Sequence, residues 1–404
     1  MKLLTIIIIL ISNINYSFSQ EPKSRIEIID SLKKELKNSD NQSKVDIYVG
    51  LSRKYFQYNT DTGLLYGNKA LFLSKEIGYV LGTAESYNVI AFNFSIRGEI
   101  ESSNIYLLKA KELFEAVDDY EKVGDVFVIL SINNNNNLKY DDAIENLDSA
   151  INIYDKLGLI NKKASAYVNY GNALMGMAKY EEALNKFFTS IEIFKESNML
   201  DRLKEPYLNI GNCFNNLMDY DNAIKYYEYT KKYSDSNEVS QLKATLLNNL
   251  GEVYILRNNL SKAEENLIEA YRINKLIGNN LFLCTNLSNL AKISLLQDDL
   301  KKADIYLNES INISEPNNLL EQIQISYFYK AELYRKKYQN KKNNNEGNST
   351  LFKALNYLEK SEEIANKFND KRKLLDIYDL KSQIYYLLQK YDEAYISISK
   401  YNII

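Results

Sequence analysis

Histidine is absent from this 404-residue chain. Ser-His and Cys-His nucleophile pairs, His-ligated metals and a phospho-accepting His are therefore excluded. The two cysteines, Cys213 and Cys284, are too few for a four-thiolate zinc site. Carboxylates, Lys, Tyr and Ser are left for catalysis. Adjacent acids occur at Glu181-Glu182 and Asp298-Asp299, at positions where a helix begins and its dipole favours negative charge. Catalysis needs unlike groups converging on one pocket, and no stretch gathers them. The chain reads as non-enzymatic, and it calls for no cofactor and no metal.

The residues whose spacing does stand out are Asn169, Asn209, Asn249 and Asn289, 40 positions apart. A carboxamide offers one acceptor and two donors, which suits the main-chain groups of an extended peptide. Asn172 and Asn212 follow about one helical turn later, and Asn248 adjoins Asn249. These seven form a candidate ligand-binding set, with selectivity expected from Thr245, Thr285, Glu252, Lys292, Tyr329 and Arg335. Asn is also abundant here, as the run Asn133 to Asn137 shows. The ladder therefore has two readings, contact with a ligand or bonding between neighbouring helices.

The elements that carry the ladder repeat with it. Asn169-Tyr170-Gly171 becomes Asn209-Ile210-Gly211, Asn249-Leu250-Gly251 and Asn289-Leu290-Ala291. A second series, Ala70, Ala110, Ala150, Ser190, Thr230, Ala270 and Ser310, keeps the same interval on what reads as the second helix of each repeat. Ser103, Ala143, Ala183, Ala223, Ala263 and Ala303 stand seven residues earlier, on the same helical face. Bulky Phe187, Tyr227, Leu267 and Leu307 lie four after these and are expected to fill the space between helices. Gly78, Asp118, Gly158, Asn198, Gly278 and Asn318 tolerate the left-handed conformation and should end the second helices. Most of the 34 Tyr, such as Tyr140, Tyr180 and Tyr220, recur in phase and read as packing residues. Fourteen Gly and three Pro agree with long helices.

This pattern resembles the tetratricopeptide repeat. Leu247, Leu250, Gly251, Tyr254, Ala263, Ala270 and Tyr271 stand as that family's positions do, and the likeness covers about residues 44–404. The period of 40 in place of the common 34 is similar to the longer-helix branch, as in kinesin light chain and bacterial peptide-sensing regulators. The family's Pro at the repeat end is mostly missing, with Pro316 nearest to it. The resemblance implies an all-α, right-handed superhelical solenoid of about nine helix-turn-helix repeats. It also implies a concave face of first helices that binds a peptide or protein segment, in which the longer-helix relatives use a similar Asn ladder.

Residues 1–19 have the layout of a secretory signal peptide: Lys2, an apolar run from Leu3 to Ile11, then Ser17-Phe18-Ser19 before Gln20. The apolar run is too short for a membrane span, so no stable membrane insertion is expected after cleavage. Residues 20–43 read as a capping helix, 44–404 as the repeat array, and about 338–350 as an insertion loop. Cys213 and Cys284, two repeats apart, are too far separated to be bridged and read as packed or free thiols. The net charge of −3, with Lys and Glu interleaved, gives no reason to expect nucleic acid. The expectation is an exported, periplasmic or secreted scaffold holding a peptide or protein segment, of undetermined oligomeric state. The alternative is the sensor portion of a bacterial signalling regulator without its membrane helix and output domain.

Overall fold

A computed structural model describes residues 22–56, 59–235, 239–340 and 347–403. The expected signal peptide lies outside them. Helix α1, Pro22–Glu35, precedes nine helix pairs. The first three are α2 Asn41–Tyr55 with α3 Thr60–Glu76, α4 Val80–Ile96 with α5 Ile100–Ala116, and α6 Tyr120–Asn136 with α7 Tyr140–Lys156. Then come α8 Ile160–Gly176 with α9 Tyr180–Glu196, α10 Lys204–Asn216 with α11 Tyr220–Tyr233, and α12 Gln241–Leu256 with α13 Leu260–Ile277. The last are α14 Asn280–Leu296 with α15 Leu300–Ser314, α16 Leu320–Asn340 with α17 Gly347–Lys367, and α18 Lys371–Leu387 with α19 Tyr391–Ile403. Consecutive helices from α1 to α11 pack on one another, as do those from α12 to α19, which makes the chain an all-α helix-turn-helix solenoid.

Turn chemistry sets the period. The six residues expected to close second helices all have positive φ, from 51° at Asn318 to 77° at Gly278. First helices close in the same way, at Gly98, Leu138, Ala178, Met218, Asn258, Asp298 and Gln389, so the left-handed position recurs about every 20 residues. The amide that follows bonds back into the last turn, as Lys179 N–H does to the Leu174 carbonyl at 2.9 Å. One helix starts differently. Pro206 has no N–H for the Arg202 carbonyl and its ring crowds that group, so Leu200–Leu203 winds as a 3₁₀ turn ahead of α10.

Small residues of first helices receive bulky residues of second helices. A Cβ on Gly171 would lie 2.5 Å from the Phe187 ring, one on Gly211 2.4 Å from the Tyr227 ring, and one on Gly251 2.5 Å from Leu267. These three partners are the bulky residues singled out by the pattern, and all three are fully buried. Ile29 of α1 packs with Ile47 and Leu51 of α2, covering the first repeat. The first repeat itself begins at Asn41, where the Asp40 carboxylate accepts the Ser43 N–H at 2.8 Å.

The expected insertion loop is partly helical. Residues 338–340 belong to α16 and 347–350 to α17, while 341–346 lie outside the described residues. The additional turn of α16 is tied to α15 and the turn before it: Lys337 Nζ reaches Asp304 at 2.7 Å and Asn340 Nδ2 reaches Asp298 at 2.8 Å.

The chain divides into two compact lobes, the first ending at Ser234 and the second starting at Asp235. The first holds α1 to α11, the second α12 to α19. Within the first lobe α2, α4, α6 and α8 each touch the next first helix, and within the second so do α12, α14 and α16. First helices therefore form a continuous row in each lobe.

Candidate functional site

The Asn ladder places two members in each lobe. In the first, Asn169, Asn172, Asn209 and Asn212 lie on α8 and α10 and all are buried. Asn209 Nδ2 donates to Asn172 Oδ1 at 2.9 Å, joining the two helices. Tyr227 OH donates to Asn212 Oδ1 at 2.9 Å, joining α10 to α11. Asn172 Nδ2 is buried with no partner among the described residues. The Asn133–Asn137 run serves α6 in a similar way, with Asn133 Nδ2 donating to Ser103 Oγ at 2.9 Å and Asn104 Oδ1 at 2.7 Å.

In the second lobe the ladder opens into a polar chain. Asn274 Nδ2 donates to Asn286 Oδ1 at 2.7 Å, and Asn286 Nδ2 donates to Asn248 Oδ1 at 3.0 Å. Asn248 Nδ2 and Asn289 Nδ2 both donate to Glu252 Oε1, at 3.0 and 3.1 Å. Asn248 is buried, whereas Asn249 and Asn289 are half-buried. Bonding between helices, the second reading of the ladder, is thus realised for Asn172, Asn209, Asn248 and Asn289. Asn212 is held within its own repeat.

Around Glu252 the row of first helices carries a field. Burial pushes the Tyr329 phenol of α16 up, and the carboxylates of Asp376, Glu252 and Glu332 add to the shift. Those three acids stand on α18, α12 and α16, so three first helices act on one hydroxyl. Loss of hydration pulls the Lys373 ammonium down, against Glu321, Asp370 and Asp376, and pushes the Asp376 carboxyl up, against Lys373 and Arg372. Yet Lys373 is half-exposed and Asp376 exposed. These groups form a charged patch that water reaches on the first-helix row of this lobe. Arg335 completes it with a two-pronged pair to Glu332 at 2.6 and 2.8 Å.

Of the flanking residues expected from sequence, Glu252, Tyr329 and Arg335 belong to this patch. Thr245 is buried with no hydrogen-bond partner for its hydroxyl among the described residues, and Thr285 Oγ1 donates to the Leu281 carbonyl at 3.2 Å. Lys373 and Asp376 were not foreseen. Their signal was present: Asp376 stands six residues before the small Ser382, as Thr245 and Thr285 stand before Gly251 and Ala291, once the insertion is allowed for. Among the described residues no group of three or more Cys, Asp or Glu is placed to hold a metal ion, and no helix is long and apolar enough to cross a membrane. Both thiols are free and buried, and burial pushes Cys213 up to about 12 and Cys284 up to about 11.

Residues 242–315 match the tetratricopeptide repeat family model, and residues 69–250 match that of the soluble NSF attachment protein family. No curated protein matches the chain. Among solved structures, a signal transduction ATPase of the STAND type with a tetratricopeptide repeat sensor, from Pyrococcus horikoshii, is 15% identical with a TM-score of 0.66. The match covers 89% of this chain and 53% of that one, so the chain spans about half its length. The apo form of RapI is 15% identical with a TM-score of 0.59, over 91% of this chain and 98% of RapI. A Rap protein complexed with Competence and Sporulation Factor is 16% identical with a TM-score of 0.52, over 73% and 81% of the two chains. At these identities the likeness is one of fold.

Proposed function

From the premise that the chain is a tetratricopeptide-repeat protein of 40-residue period, we propose that it is an exported, non-enzymatic scaffold. It binds a peptide or protein segment on the first-helix face of its second lobe. The observation that carries this reading is the charged patch of the first helices, where Glu252 accepts from Asn248 and Asn289, Arg335 pairs with Glu332, and Lys373 and Asp376 meet water. An extended segment offers N–H and C=O groups at regular intervals. Half-buried Asn249 and Asn289, with the Glu252 carboxylate, are placed to pair with them, while Lys373 and Asp376 select its side chains. Fixed acids and bases already hydrogen-bonded to their neighbours cost little ordering on binding.

The Rap protein's complex with Competence and Sporulation Factor, and the sensor role of the repeats in the STAND ATPase, support a binding role for this fold. They also favour a ligand that acts as a signal, which is the sensor alternative in its simplest form.

Two experiments test the proposal. Crosslinking the purified chain to partners from the organism's envelope fraction, followed by peptide mapping, should place crosslinks on α12, α14, α16 and α18. Crosslinks confined to second helices would refute the site. Export predicts that the protein recovered from the envelope begins at Gln20, and recovery of an intact Met1 end from the cytoplasm would refute it.

A further inference from the structure

Glu252 is held by amides and, among the described residues, has no cation of its own. Asn248 Nδ2 and Asn289 Nδ2 both donate to its Oε1, at 3.0 and 3.1 Å. Its Oε2 has no partner among the described residues, and the side chain is half-buried, so water reaches it. Other half-buried acids of this lobe are neutralised in place. Asp304 holds Lys337 at 2.7 Å, Glu332 holds Arg335 at 2.6 Å, and Glu264 and Glu362 hold Lys302 and Lys381. Arg335 is thereby occupied. Lys292, which stands at the equivalent place on α14, makes no ion pair with Glu252.

The amides behind Glu252 are all turned the same way. Asn274 Nδ2 donates to Asn286 Oδ1, Asn286 Nδ2 to Asn248 Oδ1, and Asn248 Nδ2 to Glu252 Oε1, at 2.7, 3.0 and 3.0 Å. A carboxylate only accepts, so Glu252 sets the direction of the chain, and each bond polarises the next. Asn274 and Asn286 are at most 1% exposed, so neither meets a ligand. They hold Asn248, and Asn248 holds the carboxylate. Two hydroxyls nearby are also left over: Thr245 Oγ1, two turns before Glu252 on α12, and Ser288 Oγ, beside Asn289 on α14, are buried with no partner among the described residues. Unsatisfied oxygens therefore accompany Glu252 on both helices.

An ammonium brings three donors and a guanidinium five, with no acceptor, which is the complement of this set. We propose that Glu252 receives a cationic group of the bound segment, an ammonium or a guanidinium. The inference rests on the reading of this face as the ligand site, and it names the chemistry of the ligand at one point on it. The pair forms partly out of water, where a charge-assisted bond gains strength.

The test uses the full chain with fluorescein-labelled hexalysine, hexaglutamate and hexaserine, read by anisotropy at about 0.15 M salt, where long-range attraction is screened. Hexalysine should bind and the other two should not. Glu252→Gln keeps an oxygen for both Asn donors, so the fold persists, and it should weaken hexalysine at least about tenfold, the loss of one charge-assisted bond. Glu265→Gln, at an exposed position of α13, should leave binding within about twofold. Carbodiimide coupling followed by peptide mapping should join hexalysine to Glu252 itself. No binding of hexalysine, binding that Glu252→Gln leaves unchanged, a preference for hexaglutamate, or coupling that spares Glu252 would each overturn the inference. The ligand face stands in those cases if envelope partners still crosslink to α12, α14, α16 and α18, and crosslinks confined to second helices would remove both.

Discussion

Asn209→Ala separates the two roles open to the ladder. Asn209 is 2% exposed, and its Nδ2 supplies the 2.9 Å bond to Asn172 Oδ1. Asn172 Nδ2 already lacks a partner, so truncating Asn209 leaves the buried Asn172 side chain with its carbonyl orphaned as well. An orphaned buried acceptor costs about 1–3 kcal/mol, and the lost volume adds to this. We expect a destabilisation of about 2–3 kcal/mol on the same scale. Asn172→Ala should cost less, because it removes an unsatisfied donor along with the bond. The double variant should be more stable than the sum of the single effects by about 1 kcal/mol, the coupling of one buried hydrogen bond. Urea unfolding of the four proteins, followed by circular dichroism, measures this cycle. The reasoning fails if Asn209→Ala unfolds within about 0.5 kcal/mol of wild type, the range of ordinary surface changes.

The turns and inter-helix contacts give further expectations. Ala178→Gly should stabilise by about 0.5–1 kcal/mol, because Ala178 is held at a φ of 59° that glycine adopts without a steric penalty, and thermal melting reads it. Gly211→Ala should destabilise by about 1–2 kcal/mol despite the better helix propensity of Ala, because the new methyl meets the Tyr227 ring and that ring is fixed by its bond to Asn212. Gly251→Ala faces the more adaptable Leu267 and should cost less in the same assay. Acid should weaken the second lobe. Burial raises Asp304 and Glu362, but their lysine partners outweigh it: Lys330 and Lys337 hold Asp304 below its ordinary 3.8, and Lys381, with Tyr378 OH, holds Glu362 below its ordinary 4.5. A depressed folded-state value means that both acids contribute full stability above those ordinary values and lose it as pH falls through the lowered ones. Denaturation at pH 6 and pH 3 checks this, and Asp304→Asn should remove part of the difference.

The architecture was legible because packing in this chain repeats. A strict interval of 40 put small residues opposite bulky ones, and Gly171 with Phe187 or Gly251 with Leu267 meet as the pattern required. Helix ends at Gly78 and Asn318 were readable because those residues adopt positive φ easily. Ends at Leu138, Ala178 and Met218 were not, because they rest on the 6→1 bond of the turn and not on residue type. The extra turn of α16 was hidden in an Asn-, Lys- and Gly-rich stretch, where contacts of Lys337 and Asn340 with Asp304 and Asp298 decide the outcome. The ladder's spacing was visible, but the partner of each carboxamide was not, since period alone does not say whether a side chain meets its neighbour or a groove. Lys373 and Asp376 escaped notice because the insertion moves them out of phase.

The central claim is that the first-helix face of the second lobe captures an extended segment without chemistry. It is tested most directly by recovering partners from the envelope fraction with the wild-type chain and with Asp376→Lys, a reversal of an exposed charge of the patch. The account predicts one partner retained by the wild type and recovered at least about tenfold less by the variant at equal folding, the loss expected when an attractive contact becomes a repulsive one. Equal recovery of the same partner by both proteins would contradict it.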